Sequence, residues 1–253
     1  MNIDVEKLVG ITQLAGNEIM EVYKKADFEG VVSYKDDDSP LTLADEASND
    51  VIMNELKTAY PEIPIISEEG KSIDYENRKD FDTFWLVDPL DGTKEFINRN
   101  GEFTVNIALI KNRRPIAGFI YAPDLDTYYY GIVGEGAYKI EKNKKSPISV
   151  NNSDDKRVAV RSKSHPSPEE DVVLKRYDVV DSISVGSSLK FCMVAEGKAD
   201  VYYRFGPTME WDTAAGQAIL EAAGGKVLIK TGPEPFIYNK ENLLNSSFLG
   251  LGF

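Results

Sequence analysis

Two aspartates stand three residues apart where a run of strand formers gives out. In WLVDPLDGTKEF, residues 85–96, Trp85, Leu86 and Val87 lead into Asp88, and Asp91, Gly92 and Thr93 follow with no Arg or Lys between them. A strand end that carries two carboxylates in this way incurs a cost of desolvation and repulsion. Hard divalent cations relieve it, and Mg2+ prefers carboxylate, carbonyl and water oxygens. Pro89 kinks the chain so that the Leu90 carbonyl turns toward the same ion. Gly92 and Thr93 begin a short helix whose free N–H groups suit a phosphate. The stretch is therefore equipped to hold metal and phosphate together. Two metals about 3.5–4 Å apart would stabilise both the attacking and the leaving oxygen of a phosphoryl transfer.

Further acids sit at element boundaries. Glu68 and Glu69 end the strand IPIISEEG, Asp212 opens a helix beside Trp211, and Asp45 falls at the third position of another helix. Taken singly, Asp45 and Asp212 read equally well as caps, and Thr42-Leu43-Ala44-Asp45 has the pattern of a capping box.

The elements that must position these groups follow from periodicity. An apolar stripe of Ile3, Leu8, Ile11, Leu14, Ala15, Ile19, Val22 and Tyr23 predicts a helix over 3–25. A strand and an acidic turn, Asp36 to Asp38, occupy 29–40. A second helix over 43–60 puts Leu43, Ala47, Val51, Leu56 and Tyr60 on one face. The charged segment 71–82 reads as a loop. Residues 104–140 read as an antiparallel meander with a Gly134-Glu135-Gly136 hairpin turn and Tyr128 to Tyr130 paving a strand. The polar stretch 139–156, with solvated lysines, marks the boundary between two lobes, 1–150 and 151–253. Beyond it strands and helices alternate: Ser167 caps one helix, Gly224-Gly225 closes another, and KVLI forms a final core strand.

Composition excludes several classes. The chain has 253 residues and a formal charge of −13, which repels nucleic acid and anionic membranes. An anionic small molecule needs a local cation source, either metal ions or clustered Lys and Arg. Cys192 is the only cysteine, so no intrachain disulfide forms, and its apolar surroundings read as core. His165 is the only histidine, which weakens a Ser-His-Asp or multi-histidine metal site. No export signal or membrane span is evident, which points to the cytoplasm and leaves loose association with a membrane surface open. Both a monomer and a homodimer are compatible with the sequence.

Four segments in order, SPLTLADEAS, IISEEG, WLVDPLDGTKEF and WDTAAGQAILEAAGG, resemble the signature of the Mg2+-dependent, lithium-sensitive inositol monophosphatase superfamily. The resemblance covers nearly the whole chain. It implies an α+β fold, the layered αβαβα sandwich of the inositol monophosphatase and fructose-1,6-bisphosphatase type, with the site between an N-terminal lobe and a C-terminal α/β lobe that contributes Asp212. It implies two or three Mg2+ ions held by Glu68, Asp88, the Leu90 carbonyl, Asp91 and Asp212. Gly92 and Thr93 would hold the scissile phosphate. Asp45 and Thr93 would help activate the attacking water, which Glu68 would orient. Glu69 is a weaker candidate, since its neighbour fills the ligand position.

The segment 185–216 resembles the 3′(2′),5′-bisphosphate nucleotidases within that superfamily, and the bacterial CysQ type most closely. There a Ser, a Lys three residues on and an Arg fourteen beyond it contact the nucleotide; the matching positions are Ser187, Lys190 and Arg204. Inositol phosphatases have an acid where this chain has Arg204. A cation there suits a second phosphate or stacking on a base. His165 falls near the nucleotide in the resemblance. The implied activity is hydrolysis of 3′-phosphoadenosine 5′-phosphate to AMP and phosphate, clearing a by-product of sulfate activation. The alternatives are an inositol monophosphatase or broad sugar-phosphate phosphatase and, in another class, a sensor that has kept the fold. The complete acid set argues against the sensor.

Overall fold

The computed structural model describes residues 3–24, 32–34, 40–151, 156–163 and 167–253. The acidic turn Asp36 to Asp38 and His165 lie outside them. Helix α1 spans Val5–Tyr23, and the side chain of Asp4 caps it by accepting from the Lys7 N–H at 2.9 Å. Leu8, Ile11, Ala15, Ile19 and Val22 are buried as expected. Leu14 is 48% exposed, because one helical step of about 100° carries it away from Ala15. The short antiparallel strands β1 (Val32–Tyr34) and β2 (Pro40–Thr42) precede helix α2 (Leu43–Ala59). Its inward face is not the expected one. Ala44, Asp45, Ser48, Ile52 and Leu56 are buried, while Leu43 is exposed. Two inward positions are polar, so a search for apolar period alone misplaces the face by one residue.

Strand β3 (Ile65–Ser67), helix α3 (Tyr75–Arg78), strand β4 (Thr83–Asp91) and helix α4 (Thr93–Ile97) follow. The segment expected to be a loop thus contains a helical turn. It is fixed by buried Arg78, which donates to Asn239 Oδ1 at 2.7 Å and to the carbonyls of Lys240 and Glu241 at 2.8 Å. The meander comprises β5 (Thr104–Lys111), β6 (Arg114–Ala122), β7 (Thr127–Ile132) and β8 (Gly136–Glu141). It continues into β9 (Lys144–Ile148), inside the stretch expected to be a linker. Lys145 there lies over the rings of Tyr130 and Tyr138, 5.1 and 4.3 Å from their centroids, and is more than a solvated charge. These strands form one sheet in the order β3-β4-β5-β6-β7-β8-β9.

A second sheet follows from β10 (Arg157–Ser162), helix α5 (Pro168–Leu174), β11 (Val179–Val185), helix α6 (Leu189–Ala195), β12 (Val201–Arg204), helix α7 (Glu210–Ala222), β13 (Lys226–Ile229) and β14 (Phe248–Leu251). Ser167 caps α5, accepting from the Glu169 N–H at 3.2 Å. The order is β11-β10-β12-β14-β13. KVLI is therefore an edge strand rather than the final core strand, and β14 inserts between it and β12.

Alternation along the strands separates three cores. Trp85 and Val87 of β4 join α1 and α2 on one face of the large sheet. Phe84 and Leu86 face the other way, toward α6, α7 and the inner face of the second sheet, a layer that includes Val160, Cys192, Tyr202 and Phe248. Val201, Tyr203 and Leu249 meet Val173 and Leu174 of α5 on the far side. The order helices, sheet, helices, sheet, helix is the expected αβαβα sandwich.

Helix α7 lies almost on bare backbone. A Cβ added at Gly118 of β6 would come within 2.2 Å of the Ala215 carbonyl oxygen, and one at Gly131 of β7 within 2.8 Å of Ile219 Cα. Gly118→Ala should therefore cost about 1–3 kcal/mol of stability and lower the melting temperature by several degrees. A thermal melt checks this; an unchanged midpoint would contradict the close approach.

Candidate metal and phosphate centre

Three backbone devices gather the acids. Strand β3 runs parallel to β4 with Ser67 opposite Val87, and the Glu68 N–H donates to the Val87 carbonyl at 3.1 Å, which delivers Glu68 beside Asp88. On the other flank, β5 pairs Asn106 with Asp88 and Thr104 with Asp91. One extra residue on β4 makes a bulge, so the strand ends at Asp91 rather than at Asp88. The turn is held on both sides: the Leu90 N–H donates to Asp88 Oδ1 at 3.1 Å, and Ser48 Oγ of α2 donates to the Pro89 carbonyl at 2.8 Å. Gly92 follows with φ 92°, a left-handed conformation that favours glycine, and caps α4. Helix α7 brings Asp212, whose Oδ2 accepts from the Met209 N–H at 2.8 Å. The capping reading of Asp212 holds, and it coexists with a place in the cluster.

Glu68, Asp88 and Asp212 each offer a carboxylate oxygen within 4.8 Å of the others. Asp91 stands outside that triplet, accepting from the Ser188 backbone N–H and facing Lys190. Asp45 is buried on α2 and, with the four acids, lines one cavity of about 340 Å3. Leu90, Gly92, Thr93, Ser187, Lys190 and Arg204 line it too, so every candidate site residue meets there. Glu69 does not line it, in keeping with its neighbour's precedence.

Burial and the crowding of acids set the electrostatics of the site. Burial, followed by the fields of Glu68, Asp91, Asp212 and Asp45, holds the Asp88 carboxyl well above its usual range. Burial, Asp91 and Glu68 do the same to Asp212, opposed by the Met209 N–H and Arg204. Burial also raises Asp91, while Lys190 opposes it. Lys190 itself is lowered to about 8, chiefly by burial. Its Nζ donates to the Ser187 carbonyl at 2.5 Å, so the side chain is turned inward rather than snorkelling to solvent. The side-chain oxygens of the acids and hydroxyl residues that line the cavity fit a hard divalent cation and not a soft one.

The cavity also contains residues that sequence reasoning passed over. Glu95 was inside the quoted motif yet read only as helix; it is buried and packs against Gly92. Ser162 ends β10 and Tyr202 lies on the adjacent β12. Their signal was positional: carboxyl ends of neighbouring parallel strands commonly line ligand crevices.

The chain belongs to the inositol monophosphatase family, whose profile matches residues 4–250. Among its relatives are the 3′(2′),5′-bisphosphate nucleotidases CysQ of Salmonella typhimurium and Escherichia coli K12. Each is 45% identical to this chain, over 244 and 245 residues, with 96% of this chain and 98% of the relative covered. The crystal structure of CysQ from Bacteroides thetaiotaomicron, described as a bacterial member of the family, superposes with a TM-score of 0.86 at 42% identity, covering 98% of this chain and 97% of that one. A Thermotoga maritima IMPase shares the fold at 22% identity with a TM-score of 0.80, covering 98% and 91%.

The raised carboxyls give a signed prediction. Asp88 takes a proton more readily in the folded chain than at its ordinary value of 3.8. Metal-free protein should therefore lose stability as pH rises from about 4 through the folded value, where the ionised folded form carries the penalty. Asp88→Asn should melt higher than the wild type at pH 7 without metal, and should lose most of the stabilisation that a divalent cation confers on the wild type. Equal melting points and equal cation responses would contradict this assignment.

Proposed function

We propose that the protein is a Mg2+-dependent, lithium-sensitive phosphomonoesterase that hydrolyses 3′-phosphoadenosine 5′-phosphate to AMP and phosphate. Glu68, Asp88, the Leu90 carbonyl, Asp91 and Asp212 would hold the metal ions. When bound, Mg2+ supplies charge neutralisation of the phosphate and a lowered pKa for the attacking water. The Gly92–Thr93 turn receives the scissile phosphate at backbone N–H groups that no capping side chain occupies. Thr93 would orient the water, Asp45 would accept its proton as the carboxylate of the pair, and Glu68 would fix its direction. Burial of Asp45 restricts it to one geometry, which favours this use.

The observation that carries the choice of substrate is a pair of cations in the same cavity as the acids. Lys190 and Arg204 are both buried there in a chain of net charge −13. Arg204 and Lys190 both line the cavity, and their guanidinium and ammonium groups suit a second phosphate, held in charge-assisted bonds. The acids and the two cations together fit a molecule with two phosphates, in agreement with the names of the CysQ relatives.

Phosphate release from 3′-phosphoadenosine 5′-phosphate with millimolar Mg2+ should be fast and fall with lithium, while inositol 1-phosphate is turned over slowly. Asp212→Asn should abolish turnover of both. Arg204→Ala should raise KM for the bisphosphate about 10–100-fold, the worth of a charge-assisted bond, and far less for a simple monophosphate. Release mainly from inositol phosphate, or equal effects of Arg204→Ala on both substrates, would overturn the nucleotidase reading and leave the metal centre standing.

A further inference from the structure

The acids of β4 and the Ser187–Ser188 turn that opens α6 come from different parts of the fold, and a short polar chain joins them. Thr104 and Asn106 lie on β5, opposite Asp91 and Asp88. Thr104 Oγ1 lies 2.9 Å from Ser187 Oγ, 2.8 Å from Ser188 Oγ and 3.1 Å from Asn106 Oδ1. Ser188 Oγ donates to Asn106 Oδ1 at 2.7 Å, and the Ser188 N–H donates to Asp91. Thr104, Asn106 and Ser188 are all buried.

Ser187 sits on this chain in a left-handed conformation, φ 47°. A residue with a Cβ rarely adopts that conformation unless its surroundings hold it. Here the holding group is the hydroxyl of Thr104. The Ser187 carbonyl in turn receives the Lys190 ammonium at 2.5 Å, its shortest hydrogen bond, beside a longer one to the Val185 carbonyl, so the conformation of Ser187 helps to set where Lys190 points.

We propose that Thr104 is a positioning residue for the anion anchor: its hydroxyl holds the Ser187–Ser188 turn and thereby places Ser187 and Lys190 relative to the acids on β4. Asn106 Oδ1 cannot donate, so Ser188 and Thr104 both give their protons to it. Thr104 Oγ1 is then an acceptor toward Ser187, whose hydroxyl donates to it and is held in place. The inference rests on the two-phosphate reading for its effect on substrate, but not for its effect on the turn.

Two measurements on Thr104→Val, which removes the hydroxyl and keeps the shape, separate these levels. Amide exchange of residues 186–190 should accelerate about tenfold in the variant without any substrate, the effect of losing one buried hydrogen bond. KM for 3′-phosphoadenosine 5′-phosphate should rise about tenfold, and its ratio to KM for a nucleoside monophosphate should rise with it. Thr104→Ser should restore both. Unchanged exchange would overturn the positioning role whatever the substrate is. Faster exchange with an equal rise in both KM values would mark the hydroxyl as merely structural and overturn it too. Faster exchange in a protein whose wild type shows no bisphosphate preference would instead sink the substrate reading and keep the positioning. If Thr104→Val fails to fold, Ser188→Ala breaks the same chain one link on and should give the same exchange and ratio.

Discussion

Like charges must be held together at the centre of this molecule, and much of the architecture follows from that. Five carboxylates, from Asp45, Glu68, Asp88, Asp91 and Asp212, line one cavity, and Asp88 and Asp45 are buried. Their mutual repulsion opposes folding. The opposing free energy comes from two apolar layers, one on each face of the large sheet. The acids also arrive from separate pieces of chain, each locked by its own backbone device: a parallel register for Glu68, a bulge for Asp91, a helix start for Asp212. None of them can relax by moving alone, because each is tied to an element that packs elsewhere. A cation entering the cluster meets ligands already in place, so little ordering entropy opposes its binding.

The cavity holds charges of both signs. Acids carried at β3, β4 and α7 share it with Lys190 of α6 and Arg204 of β12, and Lys190 faces Asp91. Fixed charges of both signs set the orientation of an anion that carries two charged groups. The strong negative charge of the whole chain makes the orientation more selective, since an anion gains little by lingering on the surface.

Much of this was legible in the sequence, and the failures have physical causes. The acids of WLVDPLDGTKEF and the short helix after Gly92 follow from local rules of strand and cap, and the structure has them; the expected turn at Pro89 is instead a bulge inside β4, which runs on to Asp91. The inward face of α2 was misread because Asp45 and Ser48 are polar; the feature that makes the face functional removes it from an apolar pattern. Strand β9 was hidden by its lysines, one of which, Lys145, packs over tyrosine rings contributed by other strands. Helix α3 was hidden because Arg78 finds its partners some 160 residues away, at Asn239, Lys240 and Glu241. Likewise, nothing local to Thr104 points to the serines it touches, which lie 83 and 84 residues further along. Short-range rules convey which groups are available, and only the register of the sheets conveys which of them meet.

Strand β9 also governs how the protein behaves in a crowd. It closes one margin of the large sheet, where unpaired backbone groups would offer a template for another chain. Lys144 and Lys145 are exposed there, and Pro147 removes a backbone donor from the middle of the row. The opposite margin, β3, is only three residues long. Neither rim invites a neighbour to extend the ladder. At the high concentrations of a cell the sheet stays finite, and the cleft it supports remains open to small molecules rather than being lost in a growing aggregate.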